Sequence, residues 1–208
     1  MTGLLFVGGE GPGREVLVRC AREAALSVAA DSGLELALSA GIEPNLVVGD
    51  MDSLSDPTLL DRFPPDRVVR LPRDKDDTDT EVGLQTLLDR GADEVTIVGG
   101  GGGRMDHLLG IVALFQRERP PRRWLTHRDE IILVDRDARF DGWLGSTVSV
   151  FPVGEHAARM RSTGLRWPLD GLVFERGRVG ISNIVTQAPF LVSVADGKLL
   201  VIRSRLEG

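Results

Sequence analysis

Two short segments of the chain carry closely spaced carboxylates. Asp50 and Asp52 lie two residues apart, and four carboxylates fall within residues 74–79. If the backbone at Asp50 is still extended, the Asp50 and Asp52 carboxylates point to the same side. Carboxylate oxygens suit a hard divalent cation such as Mg²⁺, which can bridge to a phosphorylated ligand. Simpler interpretations are a solvated turn at residues 49–53 and a capped helix start at Thr78.

A run of five glycines, residues 99–103, precedes Arg104. Backbone N–H groups in such a loop can approach phosphate oxygens, and an arginine supplies a planar set of donors. Asp106 and His107 follow in the predicted first turn of a helix. The run is neither a Walker A loop nor a G-x-G-x-x-G fingerprint. It could instead be a flexible connection followed by a surface histidine.

The apolar periodicity of residues 1–128 predicts an α/β domain that would position these segments. Short apolar runs alternate with segments in which apolar residues recur every three or four positions. We predict strands at residues 4–7, 26–29, 46–48, 67–71, 94–98 and 123–126. We predict helices near residues 13–24, 34–40, 56–62, 79–90 and 105–117.

Two of these helices have the clearest signals. The helix at residues 79–90 opens with a Thr78-x-x-Glu81 capping box. In the helix at residues 105–117, one apolar stripe is expected to face the core. Its members are Met105, Leu108, Leu109, Val112 and Phe115.

The acidic and glycine-rich segments each follow a predicted strand. Asp31 follows the second strand, Asp50 the third, residues 74–79 the fourth and the glycine run the fifth. In an open parallel sheet these positions share the carboxyl edge, where ligands bind. We therefore predict an open, mostly parallel sheet, flanked by helices, that brings these distant segments together.

After about residue 135 the helical periodicity disappears, and β-rich runs with Gly, Pro and Asp turns replace it. We place the domain boundary at residues 135–141 and predict an all-β sandwich over residues 136–208. Its predicted strands are residues 147–151, 172–175, 178–182, 190–194 and 199–203. An Asp196-Gly197 hairpin is predicted to join the last two.

Composition excludes several classes of protein. The 208-residue chain is 42% hydrophobic and 27% charged, so it can bury a core in one large domain or two small ones. A formal charge of −6 without a basic stripe argues against a nucleic-acid binder. No apolar run suits a membrane span, and residues 1–7 lack the features of a signal peptide. The single cysteine, Cys20, cannot form an intramolecular disulfide, so we expect a cytoplasmic protein.

Taken in order, these segments resemble the thiamin pyrophosphokinase family, whose members transfer a pyrophosphoryl group from ATP to thiamin. Residues 49–53 are similar to the family's GDxDS, residues 75–79 to KDxTD and residues 103–107 to GRxDH. Residues 163–169 resemble TGLxWxL, and residues 182–183 resemble an SN pair. Two departures are the Asp31-Ser32-Gly33 segment, which replaces a commoner DGGAN-like one, and the length of the glycine run.

The resemblance implies an N-terminal Mg·ATP-binding domain, residues 1–128, and a C-terminal domain that contributes to the thiamin site. It also implies a homodimer with active sites between subunits. On this basis Asp50, Asp52, Asp76 and Asp79 are assigned to Mg²⁺ and, together with Arg104, to catalysis. The residues assigned to ATP are Asp31, Lys75, Thr78, Gly102, Gly103, Asp106 and His107, and those assigned to thiamin are Trp167, Ser182 and Asn183.

Several alternatives stay open on the sequence alone. Trp167 could offer its face to the thiamin cation or pack in the core beside Leu165 and Leu169. Ser182 and Asn183 could form a strand-end turn. The base that takes the thiamin hydroxyl proton is not identified. At the level of function, the alternatives are a pyrophosphokinase acting on a pterin alcohol and a non-catalytic nucleotide or thiamin sensor.

Overall fold

The computed structural model describes residues 1–175 and 177–204. The chain divides into two compact units, Met1–His127 and Arg128–Gly208. The second unit thus begins at residue 128, whereas the sequence analysis began it at 136. The difference arises because a strand at Asp129–Val134, which the sequence analysis did not predict, is part of the second unit.

The first unit alternates strands and helices. Its strands are β1 (Thr2–Phe6), β2 (Leu26–Ala30), β3 (Leu46–Gly49), β4 (Val68–Arg70), β5 (Glu94–Val98) and β6 (Arg123–Leu125). Its helices are α1 (Arg14–Glu23), α2 (Gly33–Ser39), α3 (Asp79–Asp89) and α4 (Met105–Leu114). The predicted helix at residues 56–62 is a 3₁₀ helix, Pro57–Arg62, whose cap Asp56 accepts a hydrogen bond from the Thr58 N–H.

The six strands form one sheet in the order β6-β5-β1-β2-β3-β4, and every neighbouring pair is parallel. From β1 the chain first builds outward through β2, β3 and β4, and then returns to add β5 on the other side. Such a reversal of strand order opens a crevice at the carboxyl ends of the strands on either side of it, here β1 and β5.

Helices cover both faces of this sheet. Alternate residues of a strand face opposite sides, and Leu4 and Phe6 pack into a core with Leu17 of α1 and Leu34 of α2. On the other face Leu5 meets α3, where a β-carbon at Gly83 would lie 2.6 Å from the Leu5 side chain. The absence of a side chain at this position lets α3 lie close against the sheet.

The two clearest helix predictions had different outcomes. The capping box at the start of α3 is confirmed. The predicted core-facing stripe of α4 is only partly right: Phe115 is fully buried and Leu108 and Val112 are half-buried, but Met105 and Leu109 are 67% and 59% exposed. Apolar spacing identified the helix and part of its buried side, but it missed Ile111 and Leu114, which are both buried.

The second unit is a β-sandwich built on two long strands. Its strands are β7 (Asp129–Val134), β8 (Asp137–Phe140), β9 (Thr147–Thr163), β10 (Phe174–Glu175), β11 (Gly180–Ile184) and β12 (Phe190–Ser204). The first half of β12 pairs with β8 and with the second half of β9. Its second half pairs with β7 and with the first half of β9. The two halves thus contribute to two layers, which confirms the predicted fold class.

The predicted hairpin at Asp196-Gly197 is wrong, since β12 runs through both residues without reversing. Gly197 has a φ of +87°, and the register with β9 shifts between Gly197 and Lys198. The dipeptide therefore forms a β-bulge, which bends a strand and increases its local twist.

A cluster of aromatic rings anchors the core of this second unit. Phe140 and Phe190 stack with ring centroids 4.5 Å apart, and Trp143 lies 5.0 Å from Phe140. Buried aliphatic residues from both halves of β9 and β12 surround the rings. In the described part of the chain, no helix is long and apolar enough to cross a membrane.

Candidate active site

Three carboxylates from distant parts of the first unit converge at the carboxyl edge of the sheet. Asp31 follows β2, Asp50 follows β3, and Asp79 is the first residue of α3. Because β2 and β3 are parallel neighbours, the residues that follow them reach the same edge. One oxygen of each carboxylate lies within 4.8 Å of an oxygen of the other two. We call Asp31, Asp50 and Asp79 the carboxylate triad.

Asp31 is the most buried member of the triad, with 9% of its surface exposed. It adopts a positive φ of +48°, and its N–H donates to the Val48 carbonyl at 2.8 Å. Its Oδ1 has no hydrogen-bond partner among the described residues. Burial raises the pKa of Asp31; a hydrogen bond from the Ser53 side chain partly opposes this, and repulsion from Asp79 and Asp50 adds to it. A buried, unpartnered carboxylate oxygen beside two other carboxylates fits a cation.

Lys75 provides a positive charge beside the other two members of the triad. Its Nζ lies 3.4 Å from Asp50 Oδ2 and 3.3 Å from Asp79 Oδ1, and its side chain is only 16% exposed. Burial lowers the pKa of Lys75, but the two carboxylates outweigh this effect and leave the pKa raised. The Asp52 N–H, which donates to Asp50 Oδ1 at 3.1 Å, and Lys75 together hold the pKa of Asp50 below its usual value.

The structure does not place the carboxylates of Asp52 and Asp76 in the triad. The backbone turns at Met51, whose φ is +66°, so the assumption of an extended chain through residues 50–52 fails. The Asp52 side chain is 41% exposed and lies 3.6 Å from Arg73. Asp76 is exposed on the loop before α3. Asp31, which was assigned to ATP from the sequence, is instead the third carboxylate of the triad.

The start of α3, which carries Asp79, is held by several polar contacts. The Thr78 N–H donates to Glu81 Oε2 at 2.7 Å, and the Glu81 N–H donates to Thr78 Oγ1 at 3.2 Å. Arg117, which follows α4, contacts Glu81 at 2.7 Å and Asp77 at 3.8 Å. Arg117 was not predicted from the sequence, because no motif marks it and it lies far along the chain from Glu81. The Thr78 hydroxyl thus accepts a hydrogen bond within this cap.

A groove of about 380 Å³ opens beside the triad, at the carboxyl ends of β1 and β5. Its lining includes Gly102 and Gly103, which the sequence analysis assigned to ATP. Ser32, adjacent to Asp31 of the triad, also lines it. The residues that complete the lining are Gly9, Glu10, Glu35, Leu36 and Gly101.

Arg104 lies just beyond the glycine run and is 73% exposed. Its guanidinium donates two hydrogen bonds to the Asp106 carboxylate, at 3.1 and 2.5 Å. This pairing raises the pKa of Arg104 and lowers that of Asp106. The His107 N–H also donates to Asp106 Oδ1 at 3.0 Å. Asp106 therefore orients the Arg104 guanidinium, while the His107 side chain is exposed.

In the second unit, Trp167 is 55% exposed between the buried residues Leu165 and Leu169. This exposure argues against core packing of its ring. Asn183 is buried and braces the Trp167 backbone, donating to its carbonyl at 2.6 Å and accepting from its N–H at 3.1 Å. The Asn183 side-chain oxygen also accepts from the Ile184 N–H at 2.8 Å. Ser182 is exposed, with a φ of +60°.

Comparisons with known proteins agree with this architecture. Residues 17–123 match the family model described as thiamin pyrophosphokinase, catalytic domain. Residues 130–199 match the model of the thiamin pyrophosphokinase vitamin B1 binding domain. No curated protein matches the chain.

Solved structures extend the likeness over nearly the whole chain. A thiamine pyrophosphokinase from Bacillus subtilis shares 25% identity with a TM-score of 0.83, covering 100% of both chains. A thiamin pyrophosphokinase from Geobacillus thermodenitrificans shares 26% identity with a TM-score of 0.78, covering 100% of this chain and 99% of its own. One from Candida albicans has the same fold at 16% identity, with a TM-score of 0.74 and coverage of 98% and 90%. With both of the family's domains matched in order, the chain belongs to the thiamin pyrophosphokinase family.

Proposed function

We propose that this chain transfers the pyrophosphoryl group of ATP to the hydroxyl of thiamin, giving thiamin diphosphate and AMP. The observation that carries the proposal is the carboxylate triad around the unpartnered Asp31 Oδ1, within a unit that matches the family's catalytic domain. Transfer of this kind depends mainly on alignment and on neutralising phosphate charge. A site with acidic metal ligands and basic side chains, but no covalent nucleophile, suits that requirement.

The triad is the proposed Mg²⁺ site. Its donors are carboxylate oxygens, the ligand type that Mg²⁺ prefers, and they approach within 4.8 Å of one another. Bound there, Mg²⁺ would supply positive charge that offsets the negative charge of the phosphates. This set keeps Asp50 and Asp79 from the sequence-based assignment and adds Asp31. Asp52 supports the set through its backbone N–H, which donates to Asp50.

Basic side chains would hold the triphosphate, and the glycine run would leave room for the rest of ATP. Lys75 lies beside the triad, so it is placed to contact phosphates bound there. Arg104 supplies further donors, and its exposure leaves it accessible to a ligand. Gly102 and Gly103 line the groove beside the triad, and the lack of side chains lets ATP approach their backbone. We assign these residues to ATP, and Asp106 to the orientation of Arg104.

The second unit would supply the surface that recognises thiamin. The exposed Trp167 ring can stack on a cationic aromatic molecule. Ser182 offers an exposed hydroxyl for hydrogen bonding. Asn183 would act through Trp167, because its side-chain oxygen already accepts two backbone hydrogen bonds. Family membership supports a homodimeric working form with active sites between subunits. The single cysteine, which is buried, supports a cytoplasmic location.

The test is the release of AMP from Mg·ATP with and without thiamin, with the product identified by mass. We expect thiamin-dependent AMP and thiamin diphosphate from the wild-type chain. Asp50→Asn and Asp79→Asn should abolish turnover, while Asp61→Asn, which removes an equal charge from an exposed position, should not. Light scattering of the same preparation measures its molar mass and so tests whether the chain forms a dimer.

Two outcomes would contradict the proposal. AMP release with a pterin alcohol but not with thiamin would support a pterin pyrophosphokinase. Tight binding of ATP or thiamin without any AMP release would support a sensor. Normal activity of both triad variants would refute the metal assignment.

A further inference from the structure

The groove beside the triad contains a carboxylate to which the proposed chemistry gives no role. Glu10 lies in the loop after β1, and its backbone pairs with the glycine run. The Glu10 N–H donates to the Gly101 carbonyl at 2.7 Å, and the Gly101 N–H donates to the Glu10 carbonyl at 3.1 Å. These two hydrogen bonds fix the Glu10 backbone at the edge of the groove.

The Glu10 side chain is also held in place. Its Oε2 lies 3.1 Å from Nε2 of His127, which follows β6. Its Oε1 lies over Gly102, where a β-carbon would be only 2.5 Å from that oxygen. Gly102 has a φ of +65°, which further disfavours a side chain there. Three separate loops therefore position the Glu10 carboxylate.

The charge of the side chains that line the groove indicates which part of a nucleotide it could bind. In the described chain, the charged side chains that line it are Glu10 and Glu35, and both are acidic. Two carboxylates disfavour phosphate and favour a neutral group that donates hydrogen bonds. Glu35 Oε1 already accepts from the Ser55 N–H at 2.6 Å and the Ser55 hydroxyl at 2.8 Å. Glu10, with a side chain 61% exposed, is the acceptor open to a ligand.

The groove and the triad are linked through neighbouring residues of the chain, because Ser32 lines the groove and the preceding Asp31 belongs to the triad. It also lies where the strand order reverses at β1 and β5, the usual ligand crevice of such sheets. With the triphosphate at the triad, the next part of the nucleotide is the ribose. Its 2′- and 3′-hydroxyls are neutral donors that match a carboxylate acceptor.

We propose that Glu10, positioned by His127, accepts hydrogen bonds from the ribose hydroxyls of the nucleotide and so selects ribonucleotides over deoxyribonucleotides. This inference rests on the proposed use of ATP. Glu10 is a specificity residue, and His127 is a positioning residue that acts through it.

The test compares Mg·ATP with the Mg²⁺ complexes of 2′-deoxy-ATP and 3′-deoxy-ATP, measuring calorimetric affinity and steady-state kinetics with thiamin. Hydrogen bonds to a charged group correspond to a preference of about ten- to hundred-fold for ATP. Glu10→Ala should raise the Kd and KM for ATP by that factor and change those for one or both deoxynucleotides little. The variant should therefore bind ATP and the deoxynucleotide about equally well, and its kcat should be nearly unchanged.

Two further variants separate positioning from structure. His127→Ala should weaken ribose discrimination, and His127→Gln, which keeps a donor that can reach Glu10, should restore most of it. A merely structural role for His127 would lower thermal stability without changing the ratio between ATP and the deoxynucleotides. Glu23→Ala, which removes the same charge from the exposed end of α1, should leave that ratio at the wild-type value.

The results can distinguish a failure of this inference from a failure of the proposed function. If the wild type binds ATP and releases AMP but Glu10→Ala keeps the full ribose preference, the inference is overturned while the proposed function stands. If Glu10→Ala instead changes the preference between ATP and ITP, the carboxylate reads the base and the inference is likewise overturned. If the wild type neither binds ATP nor releases AMP, the proposed function fails and this inference fails with it.

Discussion

Replacing Asp31 by Asn should stabilise the metal-free protein. At 4.8 Å, the upper limit of their separations, and with an effective dielectric constant of about 20, a carboxylate pair repels by about 3.5 kcal/mol. Lys75 and solvent around the partly exposed carboxylates offset much of this repulsion. We therefore expect a net gain of about 1–2 kcal/mol in the free energy of unfolding. Asn retains an oxygen at the Asp31 position, so the change is mainly one of charge.

Added Mg²⁺ should reverse the order of stability. A ligand present at about 100 times its Kd stabilises the folded state by about 2.7 kcal/mol. The wild type should gain that stability, whereas Asp31→Asn, which lacks one charged member of the triad, should gain much less. Thermal unfolding in EDTA and in a Mg²⁺ series measures both effects. A gain of 1–2 kcal/mol corresponds to about 3–6 °C in Tm.

Two results would refute this reasoning. If Asp31→Asn is less stable than the wild type in EDTA, the Asp31 carboxylate makes a stabilising contact rather than a repulsive one. If Mg²⁺ raises the Tm of both proteins equally, Asp31 does not take part in metal binding. Asp61→Asn serves as the control, because it removes one exposed carboxylate from the same unit and should respond to Mg²⁺ like the wild type.

The remaining predictions concern both units. Asp50→Asn should lower kcat by about a thousand-fold or more and Asp52→Asn by far less, because only Asp50 belongs to the triad; equal losses would contradict this geometry. Trp167→Ala should raise the KM for thiamin about ten-fold or more with little change in Tm, since the ring is 55% exposed; an unchanged KM would remove it from the site. Asn183→Ala should lower stability by about 1–3 kcal/mol in denaturant titrations, because it leaves backbone groups of Trp167 unpaired; a neutral effect would show that the brace is dispensable. Thr78→Ala should cost about 1 kcal/mol in the same assay through the lost helix cap, whereas Thr78→Ser should not.

The convergence of Asp31, Asp50 and the start of α3 could be predicted from sequence. Each follows a strand, and parallel strands place their carboxyl ends at one edge whatever the details of packing. The capping box at Thr78 and Glu81 was likewise predictable, because it depends only on residues three positions apart. Features set by strand order or by local hydrogen bonding are thus accessible without a structure.

Features that depend on a local backbone angle could not be predicted from the sequence. The expectation that Asp50 and Asp52 point to the same side assumed an extended chain, but the backbone turns at Met51, which has a positive φ. At Asp196-Gly197 the same dipeptide suits a hairpin turn and a β-bulge, because both use a glycine with positive φ. Only the long partner strand β9 decides between them. Contacts such as that of Arg117 with Glu81 depend on the packing of two helices, which periodicity alone does not give.

The charge of the chain and the charge of its proposed ligand have the same sign. A protein of net charge −6 needs local positive charge to bind a triphosphate. A cation at the proposed metal site would add to the charge of Lys75 and Arg104, and the carboxylates of the triad repel one another when no metal is bound. Lys75, 3.4 Å from Asp50 and 3.3 Å from Asp79, reduces that repulsion in the metal-free protein. It does not contact Asp31, whose Oδ1 has no partner among the described residues. The unsatisfied oxygen of Asp31 therefore leaves the metal-free site incompletely compensated, and this favours binding of a divalent cation over an empty site.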